Sequence, residues 1–171
     1  SGAVFDRKKL NWMNQQYIQN LAHDDLFRRF HPFIVTTPFA EQDASLLKKA
    51  VNILQPRLVT LAEIGNRLSL FFEENLQATD PDVLSLLRED NSKQVLAEFI
   101  KQLEAVEIST EENFGSVVKN VQNTTNFKGK NLWLPLRYAI TLEAQGPDLK
   151  LIVDLFGKEK CVRLARRALE L

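Results

Sequence analysis

The chain has 171 residues, 44% of them hydrophobic, which is enough to bury a core and excludes a disordered protein. Its 22 basic and 22 acidic residues cancel, and this balance argues against a nonspecific nucleic-acid binder. One cysteine excludes an internal disulfide, and the lack of a long apolar run or a signal peptide predicts a soluble, cytoplasmic protein.

The first third of the chain has the apolar spacing of three helices. One helix is predicted over residues 6–21, and a short one over 24–30 that ends before Pro32, because a residue preceding proline avoids the helical conformation. A third is expected over residues 43–54. The first helix is expected to bury an apolar face, with Trp12 also in the core. That face consists of Leu10, Met13, Tyr17, Ile18 and Leu21.

The middle of the chain carries three signals for the start of a helix. Residues 60–63 and 109–112 each form a capping box, in which a hydroxyl and a carboxylate satisfy the free N–H groups of a helix start. The Asp-Pro pair at 80–81 predicts another start. A further helix is predicted over residues 93–106, and a polar surface loop over 123–130.

The last third is predicted to contain three helices. Proline suits the first turn of a helix, so we expect one over residues 135–142 and another that opens at the Gly-Pro pair 146–147. Gly157 is expected to end the second in a left-handed conformation, and a third follows over 158–169. Arg137 would then lie near a helix N-terminus, where its charge gains nothing from the helix dipole. This placement indicates an outside partner.

Basic residues are concentrated toward the end of the chain. From residue 128 onward there are 9 Lys and Arg against 5 Asp and Glu, a balance of +4. Such an excess can hold phosphate groups, although a terminal helix with a solvated basic face would have the same composition. The candidate phosphate contacts are Lys128, Lys130, Arg163, Arg166 and Arg167.

No segment alternates like a strand and no repeat recurs, so the predicted fold is all-α, a bundle or cage of about nine or ten helices. The expected division is a helical part over residues 3–55 and a larger helical domain over 56–171. We find no glycine-rich phosphate loop, no metal-binding spacing and no nucleophile with an evident base. The sequence therefore predicts neither catalytic residues nor a metal site.

Two motifs at opposite ends of the chain carry a family resemblance. LWLPLRYAIT, GPDL and LFGKE followed by CVRLARRAL resemble the C-terminal end of bacterial and organellar glutamyl-tRNA synthetases. VFDRKKLNWMNQQYI near the start resembles the segment that follows the catalytic domain in the same family. One position departs from the family pattern, because the family usually has Gly where this chain has Leu142. The loop after this helix is therefore expected to start later.

The resemblance implies a stem-contact part, residues 3–55, followed by an anticodon-binding domain of the class I synthetase type, residues 56–171. The parent enzyme would attach glutamate to tRNA, with ATP and Mg²⁺ in a catalytic domain outside this chain. Neither of the class I signatures HIGH and KMSKS occurs here. We therefore expect an inactive fragment without a cofactor, a monomer whose partner is glutamate tRNA and which binds no DNA and no membrane.

The same resemblance implies two reading sites. Arg137, Gly146, Pro147 and Leu149 match the family residues that contact the first two anticodon bases, with proline and leucine offering an apolar surface. Arg57 matches the position where enzymes that reject glutamine tRNA carry Arg and those that accept both often carry Gln. Two alternatives stay open: Arg57 could instead pair with a carboxylate such as Glu63, and a two-residue shift would put Gln55 at the deciding position.

Two other classes of function compete with tRNA binding. A helical protein-interaction scaffold would have an apolar surface groove and no affinity for RNA. An independent enzyme would need one of the catalytic patterns that the sequence lacks. Binding to total tRNA separates the first of these from a tRNA-reading module.

Overall fold

The computed structural model describes residues 6–73, 77–107 and 111–171. Within these ranges the chain forms nine α-helices, two short 3-10 helices and no strand, which confirms the all-α prediction. The α-helices are α1 (Arg7–Gln19), α2 (His23–Ile34), α3 (Ala44–Leu54), α4 (Ile64–Phe72), α5 (Pro81–Arg88), α6 (Asp90–Ala105), α7 (Glu111–Thr125), α8 (Lys130–Thr141) and α9 (Leu149–Leu169). The 3-10 helices are Gln55–Arg57 and Leu61–Glu63. No helix in the described ranges is long and apolar enough to cross a bilayer.

The chain divides into two compact units, residues 1–74 and 75–171. The boundary expected between residues 55 and 56 falls inside the first unit, where the 3-10 helix Gln55–Arg57 follows α3 directly. The assignment of residues 3–55 to stem contact and of 56–171 to anticodon binding stays a prediction.

Helix α1 exposes most of its predicted core face. Ile18 is buried, but Leu10, Met13 and Tyr17 are 49%, 53% and 54% exposed, and Trp12 is 61% exposed. The helix instead packs against the 3-10 helix Gln55–Arg57 with its more polar side. The expectation that these four residues lie in the core was therefore wrong, because spacing identifies an apolar face but not whether anything covers it.

Two helix boundaries in the first unit differ from the predictions. Helix α2 continues through Pro32 to Ile34, which is 1% exposed. A proline near the end of a helix removes one hydrogen bond, and the burial of Ile34 offsets that loss. The 60–63 capping box does not cap α4. Thr60 Oγ1 instead donates to Glu63 at 3.1 Å, and the intervening residues form the 3-10 helix.

In the second unit α6 packs against α7, α8 and α9. Its Val95, Leu96, Phe99 and Leu103 are fully buried, as their spacing predicts. The predicted start of α5 is confirmed, because Asp80 accepts a hydrogen bond from the N–H of Asp82 at 2.9 Å. The second capping box, at 109–112, lies partly outside the described residues.

The C-terminal helices begin elsewhere than their prolines suggested. Helix α8 starts at Lys130, five residues before Pro135, so this proline is buried inside the helix. Helix α9 starts at Leu149 after an Asp148 cap, so Pro147 precedes the helix rather than opening it. The burial of apolar residues, rather than the position of the prolines, determines where both helices start.

Two positive φ angles mark the ends of these helices. Leu142 ends α8 in the left-handed conformation, with φ 58° and ψ 14°. The turn therefore starts at Leu142 itself and not later, although the residue is no glycine. Gly157 breaks α9 with φ 72° and ψ 168°, a conformation open almost only to glycine. The break separates the two helices that the sequence predicts on either side of it.

Candidate nucleic-acid interface

Arg57 is exposed at the end of a short, braced turn in the first unit. Its neighbour Leu58 is 1% exposed, so the backbone on that side is anchored in the core. Glu63, the proposed alternative partner, accepts hydrogen bonds from Val59 N at 3.4 Å and from Thr60 Oγ1. Arg57 forms no ion pair within the part of the chain that the structure describes. Its guanidinium is thus available to a ligand.

Gln55, the alternative candidate for the deciding position, has an internal role. The residue is 7% exposed, and its Nε2 donates to the carbonyl oxygens of Ile18 and Leu21, each at 2.9 Å. Ile18 lies in the last turn of α1, and Leu21 follows the end of that helix by two residues. The amide nitrogen of Gln55 is therefore occupied within the first unit, and the choice of Arg57 as the deciding position stays a prediction.

Arg137 turns back onto the loop between α8 and α9. Its Nη2 donates to the carbonyl oxygen of Pro147 at 3.0 Å. A Cβ at Gly146 would lie 3.2 Å from Arg137 Nη1 and 3.5 Å from a carboxylate oxygen of Glu143. The guanidinium therefore lies close to the loop backbone at Gly146. The structure thus brings Arg137, Gly146 and Pro147 together.

The apolar surface expected from Pro147 and Leu149 is not there. Pro147 is buried and Leu149 is 2% exposed, because both side chains pack inside the second unit. This part of the prediction was wrong. The loop leads into the start of α9, where the Asp148 side chain accepts a hydrogen bond from Lys150 N at 3.1 Å and caps the helix.

The five candidate phosphate contacts do not form one patch. Arg167 lines a crevice of about 240 Å³ with Ala139 and Leu142, at the C-terminal end of α8. Lys130 begins that helix, about 14 Å from Ala139 along the axis. Lys128 and Lys130 are both exposed. Lys130 and Arg167 therefore lie toward opposite ends of α8.

The arginines of α9 line a groove of about 640 Å³ that contains charges of both signs. Arg166 donates to Glu104 at 2.6 Å, and the Nζ of Lys158 donates to the carbonyl oxygen of Val106 at 2.8 Å. Glu159 and Glu170 also line the groove. This mixture is less favourable for phosphate than the count of arginines suggests.

Comparison with known proteins places this geometry in a family. The sequence profile described as the anticodon binding domain matches residues 25–169. The chain belongs to the anticodon-binding domain family. A crystal structure of a glutamate tRNA ligase from Elizabethkingia meningosepticum has the same fold, with a TM-score of 0.85 and 19% identity. The structural match covers 99% of the present chain and 33% of the Elizabethkingia chain.

Curated relatives of the anticodon-binding domain chain carry the name glutamate-tRNA ligase. The relative from Alkaliphilus metalliredigens is 32% identical over 93% of this chain, and the one from Sulfurihydrogenibium is 33% identical over 99%. The alignments cover 33% and 36% of those proteins. The chain thus spans about a third of the length of the relatives that it matches.

One tryptophan of the anticodon-binding domain is more exposed than the sequence predicted. Trp133, expected mainly in the core, is 46% exposed and contacts Phe114 with ring centroids 6.4 Å apart. Its position three residues into α8 gave no signal, because that helix was predicted to start later. A half-exposed indole is a candidate surface for stacking with an unpaired base.

Proposed function

We propose that this chain is the tRNA-reading, C-terminal part of a glutamate-tRNA ligase, and that it recognises the anticodon of glutamate tRNA. The family match and the names of the relatives support this proposal. The remaining part of the enzyme would hold ATP and Mg²⁺ and form the ester bond. We propose that the protein acts in the cytoplasm as a monomer and that it binds no DNA.

The observation that carries the proposal is the exposed guanidinium of Arg57 beside an internally bonded Gln55. Glutamate and glutamine anticodons differ at the third base, cytosine against guanine. A guanidinium only donates hydrogen bonds, and an unpaired cytosine offers the acceptors O2 and N3. Guanine presents N1–H and N2–H donors instead. One such mismatch corresponds to about 1–3 kcal/mol, or roughly tenfold to a hundredfold in affinity.

The loop after α8 is the proposed second reading site, for the first two anticodon bases. Arg137 holds this loop through Pro147 O; the residue as a whole is half-buried, and its Nη1 atom is buried. Gly146 keeps the backbone accessible, and Leu149 contributes its backbone N–H at the start of α9. In this proposal the loop reads bases with backbone groups and one arginine, while the buried side chains fix its shape.

A binding measurement with Arg57→Gln tests the proposal. Wild type is expected to bind a glutamate tRNA transcript more tightly than a glutamine tRNA transcript, and Arg57→Gln is expected to reduce that ratio about tenfold or more. A ratio that does not move refutes the role of Arg57.

Filter binding with total tRNA provides the broader check against the scaffold alternative. A scaffold would show no RNA binding at all. The feature that favours a protein-contact surface is the exposed apolar face of α1, formed by Leu10, Met13 and Tyr17. RNA retained on the filter would show that the chain is not a protein scaffold alone.

A further inference from the structure

Side-chain amides tie α1 and the turn of Arg57 together in both directions. From α1, Gln19 Nε2 donates to Pro56 O at 2.7 Å, Gln15 Nε2 reaches the same oxygen at 3.4 Å, and Asn14 donates to Val59 O. From the turn, Gln55 donates to the carbonyl oxygen of Ile18 in the last turn of α1 and to that of Leu21 just after the helix. We call these four side chains the amide clasp: Asn14, Gln15, Gln19 and Gln55.

The clasp holds the backbone on both sides of Arg57. Pro56 O belongs to the peptide group that joins Pro56 to Arg57. Because a peptide group is planar, a hydrogen bond to this oxygen fixes the orientation of the backbone that carries the Arg57 side chain. Asn14 fixes a second carbonyl two residues after Arg57. None of these bonds reaches the guanidinium itself, which leaves it available for a ligand.

We propose that Gln19 is a positioning residue for Arg57, and that α1 thereby helps to set discrimination at the third anticodon base. This inference rests on the proposed reading role of Arg57. A hydrogen-bonding group discriminates between bases only when its position is fixed to within a fraction of an ångström. The strongest bond to the peptide of Arg57 comes from Gln19, because Gln15 is 0.7 Å farther from the same oxygen.

A purely structural role would give a different result. Gln19 is exposed at the end of α1, so its loss costs little burial. If the clasp merely attached α1 to its unit, removing Gln19 would lower stability or weaken all RNA binding equally. A positioning role instead changes the ratio of affinities for two RNAs that differ in one base.

The experiment uses a glutamate tRNA transcript and the same transcript with the third anticodon base changed from cytosine to guanine. The chain variants are Gln19→Ala, Gln19→Glu, Arg57→Gln and the double variant Gln19→Ala with Arg57→Gln. Gln19→Glu keeps the shape but has no donor for Pro56 O. Gln94→Ala is the matched control, because Gln94 is an exposed helical glutamine outside the clasp. Circular dichroism checks that each variant keeps its helical content.

Both Gln19 variants are expected to lower the cytosine-to-guanine affinity ratio about three- to tenfold, the effect of one hydrogen bond. Gln94→Ala should leave the ratio unchanged. In the Arg57→Gln background, Gln19→Ala should have no further effect, because the side chain that it positions is gone.

The outcomes separate this inference from the proposal beneath it. If Arg57→Gln does not move the ratio, the reading role of Arg57 is refuted and the positioning role with it. If Arg57→Gln moves the ratio but the Gln19 variants do not, only the positioning role is overturned. The same holds if the Gln19 variants weaken both RNAs equally, or if their effect on the ratio persists without Arg57.

Discussion

In a helix an alanine variant is usually more stable than a glycine variant. At Leu142 we expect the opposite order. Leu142 ends α8 at φ 58° and ψ 14°, where a side chain crowds the following carbonyl at a cost of about 1–2 kcal/mol. Leu142→Ala removes most of the half-buried side chain but keeps that strain. Leu142→Gly removes both. The difference between the two variants therefore reports the backbone strain, reduced by the greater conformational entropy that glycine has in the unfolded chain.

We expect Leu142→Gly to be more stable than Leu142→Ala by about 1 kcal/mol, measured from urea unfolding midpoints at constant slope. Ser116 provides the control, because it is exposed inside α7 and its φ is not positive. There Ser116→Gly should be less stable than Ser116→Ala by about 1 kcal/mol. If Leu142→Gly is no more stable than Leu142→Ala, residue 142 does not adopt the left-handed conformation at the end of α8.

Three further outcomes follow from the site and the core. Arg137→Ala should weaken binding to glutamate tRNA about tenfold or more with unchanged helical content, since it loses a charged hydrogen bond; equal binding would remove Arg137 from the reading site. Lys130→Ala combined with Arg163→Ala should weaken all tRNAs alike and flatten the salt dependence of log K by about 1.4, the value for two single-strand phosphate contacts; an unchanged slope excludes both. Burial raises the pKa of the Cys161 thiol to about 12, so unfolding releases its proton above pH 9 and the free energy of unfolding should fall by about 1 kcal/mol between pH 9 and pH 10. Cys161→Ala should lack this part of the decline, and an identical decline in both proteins would contradict the buried thiol.

Helix spacing predicted the core of the second unit well and the surface of the first unit poorly. Phe99 and Leu103 follow the α6 spacing and are fully buried. Met13 and Tyr17 follow an equally regular spacing on α1 and are half exposed. A periodic pattern records only that a helix has an apolar face. What covers the face is set by residues far away in the sequence.

Proline signals for a helix end, at Pro32, and for a helix start, at Pro135, failed where burial outweighed them. Pro32 and Pro135 both lie inside helices, because the residues beyond or before them are buried. The opposite case is Leu142, a poor residue for a left-handed turn that occupies one nevertheless. Here Thr141 supports the turn, since its Oγ1 accepts a hydrogen bond from Glu143 N at 3.2 Å, across Leu142.

The candidate site was predictable in part. The exposure of Arg57 follows from its place in a tight connection. The role of Gln55 does not, because its bond to Ile18 O spans 37 residues and no local pattern encodes it. The grouping of Arg137 with Gly146 came from the family resemblance, and the contact to Pro147 O shows its physical basis.

The central claim is that this chain reads an anticodon, and one titration tests it directly. The wild-type chain is titrated with a glutamate tRNA transcript and with the same transcript whose three anticodon bases have all been replaced, at one fixed salt concentration. Anticodon reading predicts that the replacement weakens binding at least about tenfold, because base contacts are lost while phosphate contacts remain. Equal affinity for the two transcripts would contradict it.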